Sequence, residues 1–403
     1  MRKSLICFYD MAVSPCSYDF FSFLISAELC RVRRRFDQIK IVFVQGPKNK
    51  FREDKLRSIS QNKVFFENVI IPGISLMPSC CSFEWIDRSD INLSQIDPIN
   101  IFPRPYSLKN PVPEYSGSEM VCSQLCHETP VLFESPKYSR DLVESYIKKK
   151  LTYPSFITVT IREVNRDNNN GTRSTNIKVW QNVIDILNKK KIHTLVVRDT
   201  KCFHQKPLFT GAIEVHEASI HLPFRAALYE RSLINFTKNN GPSILKMHSI
   251  RPAIYFNSFD NDVAAVSEQF FKNNYGMIFN SQFPMTRQDK LVIWRDEDAN
   301  TILSYVCGPE KILRAGEEAR LLNNDEYFAS INIAIRQIIK RISGGYILHE
   351  DVTLYRVLER LLDGSETNFS ISEIILENAK KFDISKEANK LISLSLEDKK
   401  LAV

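Results

Sequence analysis

The stretch Ser155 to Thr200, SFITVTIREVNRDNNNGTRSTNIKVWQNVIDILNKKKIHTLVVRDT, constrains the fold more than any other. A β-branched run ends in Arg162. A polar loop with one glycine follows, then an amphipathic helix, then a second apolar run ending in Arg198 and Asp199. Strand, helix and strand in this order form a βαβ unit, and its parallel strands bring their carboxyl ends to one edge. Open α/β sheets bind ligands at that edge. The planar fork of arginine donors matches phosphate oxygens bidentately, so the expectation is an α/β chain with an anion-binding edge.

The same alternation recurs on both sides. KSLICFYD reads as a buried strand and FFSFLISAELCRVRRR as a helix, with Tyr18 and Asp19 as cap residues. IKIVFVQG reads as an interior parallel strand. A helix is expected around Phe51 to Ile59 and a strand near Val69 to Ile71. Residues 98–140 are rich in proline, which removes a donor and fixes φ, so they read as a connector. Beyond it come the helix YSRDLVESYIKKKL, the strand GAIEV and the helix LPFRAALYERS. The strand LINFT, the helix SILKMHS and the strand AIYFN complete the series, and from Asp296 onward the chain reads as mostly helical. The expectation is two Rossmann-like, doubly wound α/β domains facing a cleft: 1–137 on the acceptor side, 138–345 binding a donor, and a helical tail over 346–403.

A chain of 403 residues exceeds one ordinary core, which agrees with two domains. No apolar run is long enough to span a bilayer, and Asp10 interrupts the apolar start where a signal peptide would continue. Nine cysteines without a regular framework suit reduced thiols, so a cytoplasmic location is expected. The net charge of +7 gathers in RVRRR, IKKK and NKKK, each at the end of a helix, where cations complement the helix dipole. Aromatic residues do not interleave with these runs as on a base-stacking platform, so nucleic acid is not an expected partner. Peripheral attachment to the inner face of a membrane is compatible with the charge.

Arg162 is the first candidate ligand for a diphosphate; its alternative role is a surface pair with Glu163. The loop after it carries Arg166 and Arg173 and reads either as a cover for a ligand or as an ordinary turn. Asn239, Asn240, Gly241, Pro242 and Ser243 join a strand to a helix start, where exposed amides and the Ser243 hydroxyl form a second candidate anion site. Asp260 with Asp262 and Asp296 with Asp298 are weighed as magnesium sites; capping of the helix ANTILSYV accounts for the second pair. The histidines have no ligand spacing, and Cys122, Cys126 and His127 are too few for zinc. Asp10, ending the first strand, and Asp19, opening the next helix, are candidates for a general base, with turn former and N-cap as their alternatives.

The unit TVTIRE…TRSTNIKVWQNVIDIL…HTLVVRDT resembles the donor domain of GT-B glycosyltransferases. It is most similar to inverting fucosyltransferase-like enzymes, in which a strand ends in His-x-Arg and the arginine holds the donor diphosphate. Thr160 stands where that histidine would be, so only Arg162 matches. FYDMAVSPCSYDFFSFLISAE, NNGPSILKM and SQFPMTRQDKLVIWRDED resemble bacterial proteins of surface-polysaccharide gene clusters for capsule or lipopolysaccharide O-antigen. The resemblance implies transfer of a sugar from a nucleotide-sugar donor to a hydroxyl of a glycan or lipid-linked glycan, without a metal or other cofactor. Arg162, with Arg173 or Arg198, would stabilise the leaving diphosphate; Asp199 and Asn240 to Ser243 would help hold the donor; Asp19 or Asp10 would deprotonate the acceptor. Two other readings remain open: a magnesium-dependent phosphoribosyl or phosphoryl transferase using Asp260 and Asp262, and a non-catalytic nucleotide- or glycan-binding subunit.

Overall fold

The computed structural model describes residues 3–321 apart from 54–56, 104–105, 110, 112–119, 121–122, 124–128, 164–173, 201, 258–260, 262–265, 276, 278–279 and 284–285. The fold is mixed α/β and contains two sheets in which every strand pair is parallel. The first sheet has four strands, β1 (Ser4–Asp10), β2 (Gln38–Val44), β3 (Cys80–Ile86) and β4 (Ile101–Phe102), in the order β3-β2-β1-β4. The second has six: β5 (Phe156–Thr160), β6 (His193–Val197), β7 (Ile213–Glu214), β8 (Asn235–Lys238), β9 (Ala253–Phe256) and β10 (Lys290–Ile293). Its order is β10-β9-β8-β5-β6-β7. The chain leaves β5 towards β6 and β7, then returns to the other side of β5 as β8. The switch point of this sheet, where a ligand crevice is expected, is therefore between β5 and β8. In the first sheet it is between β1 and β4.

The helices between these strands follow from their apolar faces. Helix α1 (Asp19–Arg33) is buried along most of its first three turns, Phe20 to Ala27, because it is packed on more than one side. After β2 come α2 (Ile59–Phe65), a π-helical turn (Phe66–Ile70) and α3 (Ile71–Ile74). Ser58 and Gln61 form a capping box at the start of α2. The helix expected around Phe51 to Ile59 thus begins where that interval ends. The strand expected near Val69 to Ile71 is helical instead. A short apolar run does not distinguish a strand from a buried helical turn. The strand of this region is CCSFEWI, an edge strand whose middle residues are exposed.

Helix α4 (Lys137–Lys150) leads into the second sheet. Helix α5 (Ile177–Lys189) buries Trp180, Val183, Ile184 and Leu187, the i, i+3, i+4, i+7 stripe of an amphipathic helix, and Asn176 caps it. Two helices follow β7, α6 (His216–Ile220) and α7 (Leu222–Arg231), then α8 (Ser243–Met247) after β8 and α9 (Glu268–Tyr275) after β9. Helices α10 (Ala299–Val306) and α11 (Glu310–Leu321) come after β10, and Asp298 caps α10 through the Thr301 amide. The expected tail over 346–403 lies outside the described residues.

One apolar cluster joins the two sheets. It runs from Leu5, Tyr9 and Phe43 through Phe20 and Phe21 of α1 to Leu222, Ala226 and Leu245, ending on Phe156 and Leu195. A second cluster lies on α5, β8 and β9 around Trp180, Phe236 and Phe256.

Candidate functional site between the two sheets

Residues that follow the carboxyl ends of strands in both sheets meet at one seam. Tyr18 comes after β1, and its ring lies against Gly241, after β8. A Cβ at Gly241 would stand 2.5 Å from Tyr18 Cδ2, and no positive φ demands glycine there; close approach does. The Tyr18 hydroxyl accepts a hydrogen bond from Arg225 Nη1 of α7 at 3.1 Å. Arg225 is buried and also donates to the Ala218 carbonyl. Burial pushes the Tyr18 hydroxyl pKa up, and Arg225 opposes the shift.

Arg162 lies two residues beyond β5, at the switch point of the second sheet. Its amide donates to Thr175 Oγ1 at 3.1 Å, and its Nη1 donates to the Asn239 carbonyl at 3.0 Å, across the crevice between β5 and β8. Asp199 lies two residues beyond the neighbouring strand β6 and accepts a bond from the Glu163 amide at 3.2 Å. Burial raises the Asp199 pKa; the Glu163 amide, Arg162 and Arg225 counter it. Thr160, at the position of the histidine in the resemblance, shares a 2.8 Å hydrogen bond with the buried Tyr229 hydroxyl. Beside Tyr229, Lys246 Nζ lies 4.5 Å from the ring centroid, wholly buried and without a hydrogen-bond partner among the described residues. Burial, then the charge of Arg225, lowers its pKa well below the ordinary lysine value. Arg162 and Arg225 thus bring guanidinium groups to this edge, with the Asp199 carboxyl and the buried Lys246 amine beside them.

Several residues expected at an anion site are engaged elsewhere. Arg198 is 2% exposed, and Glu163 holds it at 2.6 and 3.0 Å, with Glu214 at 3.4 Å and the Lys206 carbonyl at 2.9 Å. Its fork fastens the loop after β6 and does not face the crevice as a free phosphate ligand. The amides of Ser243, Ile244 and Leu245 bond back to the carbonyls of Asn240, Gly241 and Pro242. Ser243 Oγ bonds the Asn240 carbonyl at 2.5 Å, and the Asn240 side chain donates to Thr237 Oγ1 at 3.3 Å. The open amide cradle expected at this helix start is therefore closed by its own turn, with Tyr18 against Gly241. Arg173 lies outside the described residues, as do Arg166, Asp260, Asp262, Cys122, Cys126 and His127.

The two candidate bases differ in environment. Asp10 is 1% exposed and binds Arg88, the Tyr106 hydroxyl at 2.8 Å and the Ala12 amide at 2.9 Å. This carboxylate holds the loop after β1 in place. Asp19 is exposed in the first turn of α1, where Ser17 Oγ donates to it at 2.5 Å. It adjoins Tyr18 at the seam. Tyr18 occupies the cap position but makes no side-chain cap bond.

Farther along the same edge, Lys238 contacts Asp296 at 3.1 Å and Glu297 at 3.8 Å. Glu297 also accepts from Trp180 Nε1 at 2.9 Å and the Asn176 amide at 2.7 Å, so this acidic pair fastens α5 and α10 to the sheet. Among the described residues, no group of three or more His, Cys, Asp or Glu could hold a metal ion. None of their helices is long and apolar enough to cross a membrane.

Arg225 and Lys246 escaped the sequence reading, which gave Tyr18 only a capping role. The signal for the first two was a charged residue within an otherwise apolar helix, in LPFRAALY and SILKM. Such a residue needs a buried partner or a ligand.

No family profile matches the sequence, and no curated protein matches it either. Solved structures do show a likeness. The ADP-heptose lps heptosyltransferase II of E. coli is 8% identical, with a TM-score of 0.42 over 78% of this chain and 99% of that one. A glycosyl transferase of family 9 from Veillonella parvula is 12% identical, with a TM-score of 0.36 over 79% and 97%. The wall teichoic acid polymerase TagF is 9% identical, with a TM-score of 0.29 over 85% and 90%. All three are too distant from this chain to carry an argument, and its architecture is established by its own sheet topology.

Proposed function

We propose that this chain is a glycosyltransferase of class EC 2.4 that moves a sugar from a nucleotide-sugar donor to a hydroxyl of a growing surface polysaccharide or glycolipid. The observation that carries the reading is Arg162 at the switch point of the second sheet, beside Asp199 and bonded to Asn239, in the turn whose Gly241 lies against Tyr18 at the front of α1. A donor diphosphate bound in the crevice between β5 and β8 meets this guanidinium. Arg173, which lies outside the described residues, is the second cation of this proposal. Preorganised cations at a developing anion lower the barrier because they need no reorganisation as the charge forms.

In this reading the acceptor approaches from the first sheet. Asp19 takes the proton of its hydroxyl while that oxygen bonds to the anomeric carbon. The carbon–oxygen bond to the diphosphate breaks, and its electron pair leaves with the diphosphate, which Arg162 stabilises. Attack opposite the leaving group inverts the anomeric centre. Asp10 keeps the loop after β1 in place, and Asp199 accepts a hydroxyl of the donor. The nucleotide sugar is a co-substrate, and the proposal includes no metal. Work at the inner face of the membrane belongs to the same proposal, with the basic run 31–35 and the exposed Val32 as the attachment.

The test is turnover of nucleotide sugars in the presence of lipid-linked acceptors, followed by release of the nucleoside diphosphate. Asp19→Asn should lower the rate by about 10²–10⁴-fold and leave donor affinity unchanged. Equal rates for this variant and the wild type would remove Asp19 from the mechanism.

A further inference from the structure

The seam contains a pocket of about 210 Å³ that the proposed chemistry does not use. The first sheet's side contributes Tyr18, Phe65 and Asn68; the second contributes Thr200, His221 and Arg225. Thr200 directly follows Asp199, so the pocket lies beside the cationic edge. We propose that it seats a sugar ring that carries no positive charge; the choice of a sugar rests on the glycosyltransferase reading.

The shape of the walls favours a puckered ring. The rings of Tyr18 and Phe65 are 6.4 Å apart and nearly perpendicular, at 87°. They form a corner, which a puckered ring can touch on two of its sides. The aliphatic residues Val64, Val69 and Leu222 widen the apolar floor. A few polar groups around an apolar floor are the usual composition of a small-molecule site.

Those polar groups match hydroxyls. His221 caps α7: its Nδ1 accepts the Phe224 amide at 3.0 Å, so the proton of the neutral ring is on Nε2, which can only donate. Asn68 Nδ2 donates to the Val64 carbonyl at 2.9 Å, which turns its Oδ1 to the role of acceptor. The Tyr18 hydroxyl accepts from Arg225, so its own proton is available to donate. Donors and an acceptor around one pocket suit groups that both give and take a hydrogen bond. An acyl chain offers no partner to His221 Nε2, the Tyr18 hydroxyl proton or Asn68 Oδ1, whereas the hydroxyls of a sugar do. Among the described residues that line the pocket none is a carboxylate and Arg225 is one of them, so a neutral or acidic sugar fits and an ammonium sugar does not.

The experiment is saturation-transfer NMR of the full chain with methyl glycosides of neutral hexoses, a deoxyhexose, a uronic acid and an amino sugar. Asparagine is a good N-cap, so His221→Asn keeps the start of α7 and removes the Nε2 donor. Phe65→Leu removes the corner and keeps an apolar side chain. The expected result is binding of at least one neutral or acidic glycoside, weakened at least tenfold in both variants and unchanged in Arg162→Ala. The proposal is overturned if no glycoside binds the wild type, if the amino sugar binds best, or if neither variant weakens binding. Nucleoside diphosphates, run in parallel, separate the two readings. If they bind and glycosides do not, this pocket assignment fails while the transferase reading stands. If glycosides bind as expected and nucleoside diphosphates never do, the pocket stands and the transferase reading fails.

Discussion

Replacing Gly241 by alanine should part the seam between the two sheets. The new Cβ would stand 2.5 Å from Tyr18 Cδ2, 3.0 Å from Cγ and 3.2 Å from the Tyr18 Cβ. Carbon atoms pack at about 3.5 Å or more, so the ring must retreat by about 1 Å. The contact involves the stem of the side chain as well as the ring, and a rotamer change alone does not relieve it. A retreat of this size stretches the 3.1 Å bond from Arg225 to the Tyr18 hydroxyl beyond hydrogen-bonding range. Overpacking costs about 1–3 kcal/mol, and losing a bond from a charged donor about 1.5–3 kcal/mol. Urea denaturation should therefore show a loss of roughly 3–5 kcal/mol. A double-mutant cycle with Tyr18→Ala isolates the cause: once the ring is gone, Gly241→Ala should cost nearly nothing. Alanine is permitted by the backbone and reduces the entropy of the unfolded chain. A neutral Gly241→Ala in the wild type, or an equal cost with and without Tyr18, would refute the reasoning.

Lys246→Met should stabilise the protein by about 1–3 kcal/mol, because it removes a buried amine that has no hydrogen-bond partner among the described residues. The unfolded lysine keeps its proton to higher pH than the folded one, so wild-type stability should rise as the pH climbs through the range just below the ordinary lysine pKa; the variant should lack that rise. His248, buried and donating to the Val131 carbonyl, has its pKa lowered from 6.5 to about 4, chiefly by burial. Its contribution is complete above 6.5 and lost as the pH falls towards 4, roughly 3 kcal/mol in all, so denaturation curves of His248→Gln should show a shallower acid limb. Arg198→Met leaves the carboxylates of Glu163 and Glu214 without their cation and should lower stability by about 3–5 kcal/mol; a neutral result in the same assay would contradict the network.

Much of the fold was legible because its strands are short, apolar and β-branched. FITVT, HTLVV and AIYF can hardly be anything else, and the stripe of Trp180, Val183, Ile184 and Leu187 fixes α5. Legibility failed where periodicity is weak. The run VIIPGI forms helical turns although its composition suits a strand, and CCSFEWI was passed over because an edge strand exposes its middle residues. Strand order and the switch point belong to tertiary pairing, which no local pattern encodes. The site followed the same division. Arg162 was legible from its place after a strand. The diversion of Arg198 to Glu163 and Glu214, of Asp10 to Arg88, and the contact of Tyr18 with Gly241 depend on residues distant in sequence.

The central claim is that Arg162 grips a nucleoside diphosphate between β5 and β8. The most direct test is a thermal-shift titration of wild type and Arg162→Ala with ADP, GDP, UDP and CDP, with and without magnesium. A ligand that binds only the native state stabilises it by about 2.7 kcal/mol at a hundredfold excess over its dissociation constant, enough to raise the melting temperature measurably. The account predicts a shift with one nucleoside diphosphate that needs no magnesium and is lost in Arg162→Ala. A shift that Arg162→Ala retains in full, or no shift with any of the four, would contradict it.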